Sequence, residues 1–190
     1  MIQFERMTAG SPPAGFSFAK TGQGSTGKWA VVADPTAKSG LAIEQTSTDT
    51  TDYRFPLAIP ANLSAQNVKA EIRFKAVDGK IDRAGGIAVR VADPDNYYVA
   101  RANALEDNVR FYRVVAGKRQ QLGTANVRVT SGEWHTLTLE AAGQRFAVTY
   151  DGAALFEVSD TTFTKPGGVA LWTKADRVTR FDSMTITPLP

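Results

Sequence analysis

Apolar and polar residues alternate along much of the chain. Between residues 67 and 77, one face carries apolar side chains and the other carries charged ones: Val68, Ala70, Ile72 and Phe74 against Lys69, Glu71, Arg73 and Lys75. This alternation predicts a β-strand with one buried face and one face in water. Similar patterns recur in the segments 85–91, 97–103, 109–115 and 134–141. No long segment repeats with the helical period of about 3.6 residues, so we expect almost no helix.

Turn signals separate these predicted strands. Asp34-Pro35, Asp78-Gly79, Asp93-Pro94-Asp95 and Asp151-Gly152 each combine residues that favour tight turns. Together with glycine-rich turns between them, such signals recur about every 8–12 residues, a spacing typical of β-sandwiches and jelly rolls. The sequence therefore predicts an all-β fold, a two-sheet antiparallel jelly-roll sandwich, in a single domain that spans residues 1–190.

Composition narrows the possible functions. Hydrophobic residues make up 43% of the 190 residues, enough for a sizeable core, and the absence of cysteine excludes disulfides and cysteine nucleophiles. The net charge is +3, from 22 basic and 19 acidic residues in even mixture, which argues against a nucleic-acid partner. The nearest candidate for a basic cluster, Lys118-Arg119, is interpreted as solvated charge in a hairpin turn. No apolar run reaches the roughly 20 residues of a membrane span.

The segment 85–122 holds the densest set of side chains suited to binding a sugar. Sugars are held by aromatic faces that stack on C–H surfaces and by planar polar groups that bond to neighbouring hydroxyls. By alternation, Tyr97, Arg101 and Asn103 share one strand face, and Arg110 and Tyr112 share a face of the next strand. The predicted ligand-binding residues are Arg90, Tyr97, Arg101, Asn103, Arg110, Tyr112, Trp172 and Lys174.

The same residues have a second interpretation. Arginine and tyrosine that alternate with aliphatic residues also describe an ordinary solvated sheet face, stabilised by cross-strand pairs. On that interpretation Arg101 or Arg110 pairs with Glu106 or Asp107. Tyr98 has the opposite parity to Tyr97, so it is predicted to pack inward under either interpretation.

Several segments resemble known families. The segment WHTLTLEAAGQRFAVTYDG, from Trp134 to Gly152, resembles the strand–turn–strand signature of concanavalin A-like jelly rolls, particularly laminin G-like domains. The segments DPDNYYVARANALEDNVRFYRV and GGVALWTKADRVTRFDSMTI are similar to bacterial domains of the family 16 glycoside hydrolase-like and 3-keto-disaccharide hydrolase-like kind. The resemblance covers residues 4–186. It implies one convex and one concave sheet, with sugars lying across the concave sheet or at its rim loops.

The resemblance does not bring the family 16 mechanism with it. Those enzymes carry Glu-x-Asp-x-Glu on one strand, so that the carboxylates share a face. This chain contains no Glu-x-Asp, and the adjacent Glu106 and Asp107 would point to opposite faces. His135, the only histidine, shares parity with Leu137 and is interpreted as a packed strand residue and not as a catalytic base. A carboxylate pair assembled by the fold stays an alternative, drawn from Asp93, Asp95, Glu106 and Asp107.

A structural calcium ion is a further expectation from the resemblance. Many jelly rolls of this kind hold calcium where the first and last strands meet. Glu5 in the predicted first strand and Asp182 in the last are the candidate ligands here. Calcium takes several oxygen ligands, so carbonyls from the Gly- and Pro-rich segment 7–27 would have to complete the site.

These observations lead to three hypotheses. The first is a bacterial lectin-like module, secreted or periplasmic, that binds carbohydrate on the concave sheet without reacting it, although no signal peptide is visible at residues 1–10. The second is a glycoside hydrolase-like enzyme that acts on a di- or polysaccharide, and the third is a laminin G-type protein-interaction module. An arginine-rich site also suits acidic sugars, because guanidinium binds carboxylate in a bidentate way. The oligomeric state is left open.

Overall fold

The fold is a sandwich of two seven-stranded antiparallel sheets, which confirms the predicted all-β jelly-roll class. The computed structural model describes residue 2 and residues 4–78, 83–175 and 178–190. The first sheet has the strand order β1 (Phe16–Gly22), β4 (Arg54–Pro60), β13 (Gly168–Thr173), β6 (Ala84–Asp93), β7 (Asn96–Asn103), β8 (Asn108–Val115) and β9 (Lys118–Asn126). The second has the order β12 (Ala153–Ser159), β11 (Arg145–Tyr150), β10 (His135–Ala142), β5 (Val68–Asp78), β14 (Val178–Pro188), β3 (Leu41–Gln45) and β2 (Trp29–Ala33).

The start of the chain differs from the prediction. Glu5 lies in a short 3-10 helix, Phe4–Arg6, and not in a strand. Ile2 makes an isolated bridge to Met184 in β14, with a backbone N–O distance of 3.0 Å. The predicted turn at Asp78-Gly79 falls partly outside the described residues.

The core lies between the two sheets and follows the predicted alternation. The apolar face of β5 is fully buried, and so are its cross-strand partners Leu137 and Leu139 in β10. Tyr98 packs inward as predicted, with its ring 4.4 Å from that of Phe146. His135 is buried at the edge of this core, where its ring nitrogens lie 2.8 Å from a carboxylate oxygen of Asp151 and 3.0 Å from a backbone carbonyl. This histidine holds two loops together.

Much of the outer face of the first sheet is buried as well, because the sheet curls over it. β4 and β9 are five strand positions apart, which would separate them by about 24 Å in a flat sheet. Yet the guanidinium carbon of Arg119 in β9 lies 4.2 Å from the ring centre of Phe55 in β4. Likewise, Thr21 in β1 hydrogen-bonds to Tyr97 in β7 at 2.7 Å. This face is therefore the concave one.

The outer face of the second sheet is polar and is partly covered by the loop 34–40. Asp34 in this loop is only 2% exposed and accepts hydrogen bonds from Lys75 in β5 and Arg180 in β14. Arg180 also pairs with Glu44 in β3 at 2.6 Å. Burial alone would raise the pKa of Asp34, but hydrogen bonds from Lys75, Thr36 and Arg180 outweigh it and hold the pKa well below its ordinary value.

Replacing Asp34 tests this network. Asp34→Asn leaves Lys75 buried without its counter-charge, so we expect a loss of about 3–5 kcal/mol in the free energy of unfolding at neutral pH. The contribution of Asp34 is complete above the ordinary aspartate pKa of about 3.9 and declines as the pH falls towards the lower folded-state pKa. The variant should therefore lose less stability on acidification than the wild type. Urea unfolding between about pH 7 and pH 2 measures both effects.

Glu157→Gln is the control for this experiment, because Glu157 pairs with Arg145 where both side chains are more than half exposed. It should leave the unfolding midpoint and the acid dependence unchanged. Equal stability of the Asp34 variant and the wild type across the whole pH range would contradict the assigned role of the network.

Candidate functional site

Arg101 in β7 is the centre of a polar cluster at one end of the concave face. Its side chain is only 4% exposed. The guanidinium donates to Asn108 Oδ1, to Glu106 Oε2 at 2.9 Å and to the hydroxyl of Tyr112 at 3.4 Å. Arg110, the cross-strand partner of Arg101 in β8, places its Nη1 3.4 Å from the same Glu106 oxygen. Two guanidinium groups therefore converge on one carboxylate.

Glu106 holds this carboxylate in the turn between β7 and β8. Asn108 Nδ2 also donates to Oε2 at 3.1 Å, while Oε1 takes part in none of these contacts. The side chain is 42% exposed. Burial alone would raise the pKa of Glu106. The hydrogen bond from Asn108 and the charges of Arg101 and Arg110 outweigh this effect, so the pKa lies below its ordinary value. The group stays ionised and presents an acceptor oxygen beside guanidinium donors.

Small residues and further polar groups extend the cluster across the sheet. The concave face of β6 carries Ala84, Gly86 and Ala88 between the side chains of β13 and β7. A Cβ at position 86 would lie 2.7 Å from the backbone oxygen of Ala100, with Arg101 and the ring of Trp172 also close, so only glycine fits there. Asn103 pairs across with Asn108, and Lys174, just after β13, lies 3.5 Å from the carboxylate of Asp52.

The other end of the concave face is a closed aromatic cluster. Trp172 is fully buried and stacks on Phe55, with ring centres 5.2 Å apart. Its indole nitrogen donates to the hydroxyl of Tyr97 at 3.2 Å, and that hydroxyl shares a hydrogen bond with Thr21. Burial raises the pKa of Tyr97 to about 12. These contacts make Trp172 and Tyr97 part of a second core, and neither ring offers an open stacking surface in this conformation.

Arg119 closes the aromatic cluster, and the sequence-based interpretation missed it. Its guanidinium lies 4.2 Å from the ring centre of Phe55, 5.0 Å from Tyr112 and 5.7 Å from Tyr53. Its backbone N–H donates to the hydroxyl of Tyr53 at 3.0 Å. The interpretation of Arg119 as solvated turn charge is therefore wrong. Arg119 pairs across the strands with Val114, so it lies on the same face of the sheet as Tyr112. The alternation of residues along this hairpin could have indicated that position from the sequence.

Arg90 does not join the predicted surface. It is 1% exposed and has a positive φ of 51°, at a bulge where the pairing of β6 with β7 is interrupted. Its guanidinium donates to the backbone carbonyls of Gln66, Phe163 and Gly143 at 2.6 to 2.8 Å. The expectation that Arg90 shares the concave face is wrong, because the bulge reverses the alternation that the sequence implied.

The predicted calcium ligands do not form a carboxylate cluster. Glu5 is exposed, whereas Asp182 is buried at a bulge in β14. Asp182 Oδ2 accepts from Arg73 and from the backbone N–H of Lys38, and Oδ1 has no hydrogen-bond partner. Among the described residues, no group of three or more acidic, histidine or cysteine side chains could hold a metal. Asp182 is already paired with the guanidinium of Arg73, and the calcium site stays a prediction.

Sequence comparison identifies the family. The sequence model of the family described as galactocerebrosidase, C-terminal lectin domain, matches residues 58–189. The chain belongs to this lectin-domain family. The matched residues include β7 and β8, the strands that carry the polar cluster around Arg101. No protein among the curated sequences matches the chain.

Solved structures similar to this lectin-domain chain share its fold. Carbohydrate-binding module CBM66 from Bacillus subtilis superposes with a TM-score of 0.70 at 20% identity, covering 89% of this chain and 94% of that one. A Bacillus licheniformis β-glucanase gives 0.60 at 10% identity, covering 95% of each chain. Galectin LEC-6 from Caenorhabditis elegans gives 0.52 at 14% identity, covering 65% and 84%. These similarities establish the jelly-roll fold.

The lectin-domain chain thus brings six of its eight predicted ligand residues to one face, in two unequal groups. Arg101, Asn103 and Arg110 lie at the polar end, and Tyr112 joins it to the aromatic end with Tyr97 and Trp172. Lys174 follows β13 and pairs with Asp52. Whether they contact a ligand stays a prediction.

Replacing Trp172 separates a packing role from a ligand-stacking role. Trp172→Ala empties a fully buried site, so we expect a loss of about 3–5 kcal/mol in the free energy of unfolding, measured by urea denaturation. Trp134→Ala, which removes a half-buried indole from the outer face of the other sheet, is the matched control and should cost clearly less. A Trp172 variant as stable as the wild type would contradict the packing role.

Proposed function

We propose that this chain is a carbohydrate-binding module that holds a glycan at the polar end of the concave face, without reacting it. The observation that carries the proposal is the arrangement around Glu106. One carboxylate oxygen is fixed by Arg101, Asn108 and Arg110, and the other is outside these contacts on a side chain that is 42% exposed. Membership of a lectin-domain family supports a sugar as the ligand.

The chemistry of the cluster suits neighbouring hydroxyls. One sugar hydroxyl would donate to Glu106 Oε1, and the next would accept from the guanidinium of Arg110, whose side chain is 34% exposed. The fixed carboxylate is already ordered, which lowers the entropic cost of binding. Leu105, which is 47% exposed in the same turn as Glu106, offers apolar surface for the C–H face of the sugar ring.

The charges around the site favour a glycan with an anionic substituent. Arg101, Arg110, Arg119 and Lys174 contribute four positive charges, against three negative charges from Glu106, Asp107 and Asp52. A carboxylate or sulfate on the sugar would reduce this excess, and guanidinium groups bind such anions in a bidentate way.

Two other functions receive less support. A glycosidase needs two carboxylates placed on either side of the scissile bond. Of the nearby acids, Asp93 and Asp107 accept backbone N–H groups within or beside turns, and Glu106 is held by guanidinium groups. A laminin G-type interaction module would show a contiguous apolar patch. The described chain exposes three large hydrophobic residues instead: Tyr53, Leu105 and Val115.

We further propose a secreted or periplasmic setting. The lectin-domain family and the cysteine-free composition are compatible with it. In the part of the chain that the structure describes, no helix is long and apolar enough to cross a lipid bilayer.

The proposed site is tested with Glu106→Gln, which keeps the shape of the side chain but removes its charge. A glycan array that carries neutral, uronate and sulfated oligosaccharides identifies the best ligand, and isothermal titration calorimetry then measures the affinity. A hydrogen bond to a charged group is worth about 1.5–3 kcal/mol, so binding should weaken by about tenfold or more. Arg110→Lys should weaken binding as well, because it loses the planar donor pair.

Glu157→Gln, on an edge strand of the second sheet, is the matched control and should bind like the wild type. Equal affinity of the Glu106 and Glu157 variants for the best ligand would overturn the assignment of the site.

A further inference from the structure

A polar groove lies on the opposite side of the molecule, on the outer face of the second sheet. It has a volume of about 510 Å³ and is lined by Lys69, Glu71, Thr136, Thr138, Thr149 and Asp151. Glu71, Thr138 and Thr149 are cross-strand partners in β5, β10 and β11, so they form one row across the sheet. The turn at Asp151 forms one wall of the groove.

Trp134 lies at the end of this groove. The guanidinium carbon of Arg73 and the ammonium nitrogen of Lys75 are each 4.7 Å from its ring centre, and its indole nitrogen donates to Thr36 at 2.9 Å. Arg73 is the cross-strand partner of Thr136, which lines the groove. The half-buried indole is thus fixed in orientation before any ligand arrives, which lowers the entropic cost of binding against it.

Trp134 is also the one tryptophan of the three that keeps part of its side chain exposed, although Arg73 and Lys75 lie beside its ring. Trp29 is 4% exposed and Trp172 is fully buried. Aromatic faces are the surfaces on which sugar C–H groups stack, so the indole most open to a sugar lies outside the concave face.

The groove offers hydrogen-bonding groups that suit an uncharged sugar. Among the described residues, the hydroxyls of Thr136 and Thr149 have no hydrogen-bond partner, and Lys69 makes no ion pair. The carboxylate of Asp151 is already engaged by His135 and by the backbone N–H of Thr136, whereas Glu71 uses only Oε2, which accepts from Thr138 at 3.2 Å. Arg73 and Lys75 beside Trp134 are each paired with an aspartate, Asp182 and Asp34. The remaining charges are two carboxylates, Glu71 and Asp151, against the ammonium of Lys69, which disfavours an anionic ligand.

We propose that this groove, with Trp134 at its end, is a second carbohydrate-binding site, selective for an uncharged oligosaccharide. The inference rests on the proposed function of the chain as a carbohydrate-binding module. It differs from that function in place and in ligand class, since the concave site carries an excess of positive charge. A chain with two such faces could bind two glycan chains at once.

Tryptophan fluorescence tests the second site directly. The probes are uncharged tetrasaccharides of glucose, galactose, mannose and fructose, titrated into the wild-type protein. We expect at least one to change the emission of Trp134 and to protect it from acrylamide quenching. The response should persist in Glu106→Gln, and its midpoint concentration should rise by about tenfold in Glu71→Gln. Thr149→Val should raise the midpoint too, whereas Thr187→Val, on the same sheet but outside the groove lining, should not.

The outcomes separate the two proposals. Loss of the fluorescence response in the Glu106 variant, or its survival unchanged in both groove variants, would overturn the second site while leaving the concave site in place. Absence of any response to all four tetrasaccharides would overturn the second site as well. Binding of the best array ligand that is unaffected by Glu106→Gln would instead remove the proposed concave site.

Discussion

The curl of the first sheet is the constraint on which the rest of the structure depends. It brings β4 and β9 together across five strand positions, so that Arg119 packs on Phe55 and Tyr53. The aromatic residues beneath this contact are excluded from water, although they lie on the outer face of a sheet. The contact divides the concave face into a closed aromatic end around Trp172 and an accessible polar end around Glu106.

This division gives each end a different physical role. At the closed end, burial of Trp172, Tyr97 and Phe55 contributes to stability as a second hydrophobic core. At the open end, the ion cluster of Arg101, Arg110 and Glu106 keeps a partly exposed carboxylate ordered. Packing at the closed end maintains the curvature of the sheet. The ion cluster at the open end exposes polar groups within the curved surface. A glycan site at the open end therefore depends on packing at the closed end.

The alternation of apolar and polar residues predicted much of the fold and part of the candidate site. It correctly separated the core-facing and outward-facing sides of β5, because period two survives wherever a strand is regular. It also placed Arg101 and Arg110 on one surface. It did not show that Lys75, on the outward side, is buried under the loop 34–40. It failed at Arg90, where a bulge reverses parity and no residue type announces it. It also could not show that Trp172 is buried or that Arg119 covers Phe55, because both depend on curvature summed over several strands. The pairing of Arg101 with Glu106, considered from sequence as an alternative to ligand binding, is present and is compatible with both roles.

The central claim, that a glycan binds at the polar end of the concave face, is tested most directly by mapping a titration on the protein itself. Amide chemical shifts of the ¹⁵N-labelled wild-type protein would be followed by NMR while the best array ligand is added. We expect the largest chemical-shift changes at the β7–β8 turn and at Arg110, with the amides of the aromatic end nearly unchanged. Changes confined to residues away from this turn, for example around the Thr162–Pro166 loop, would contradict it.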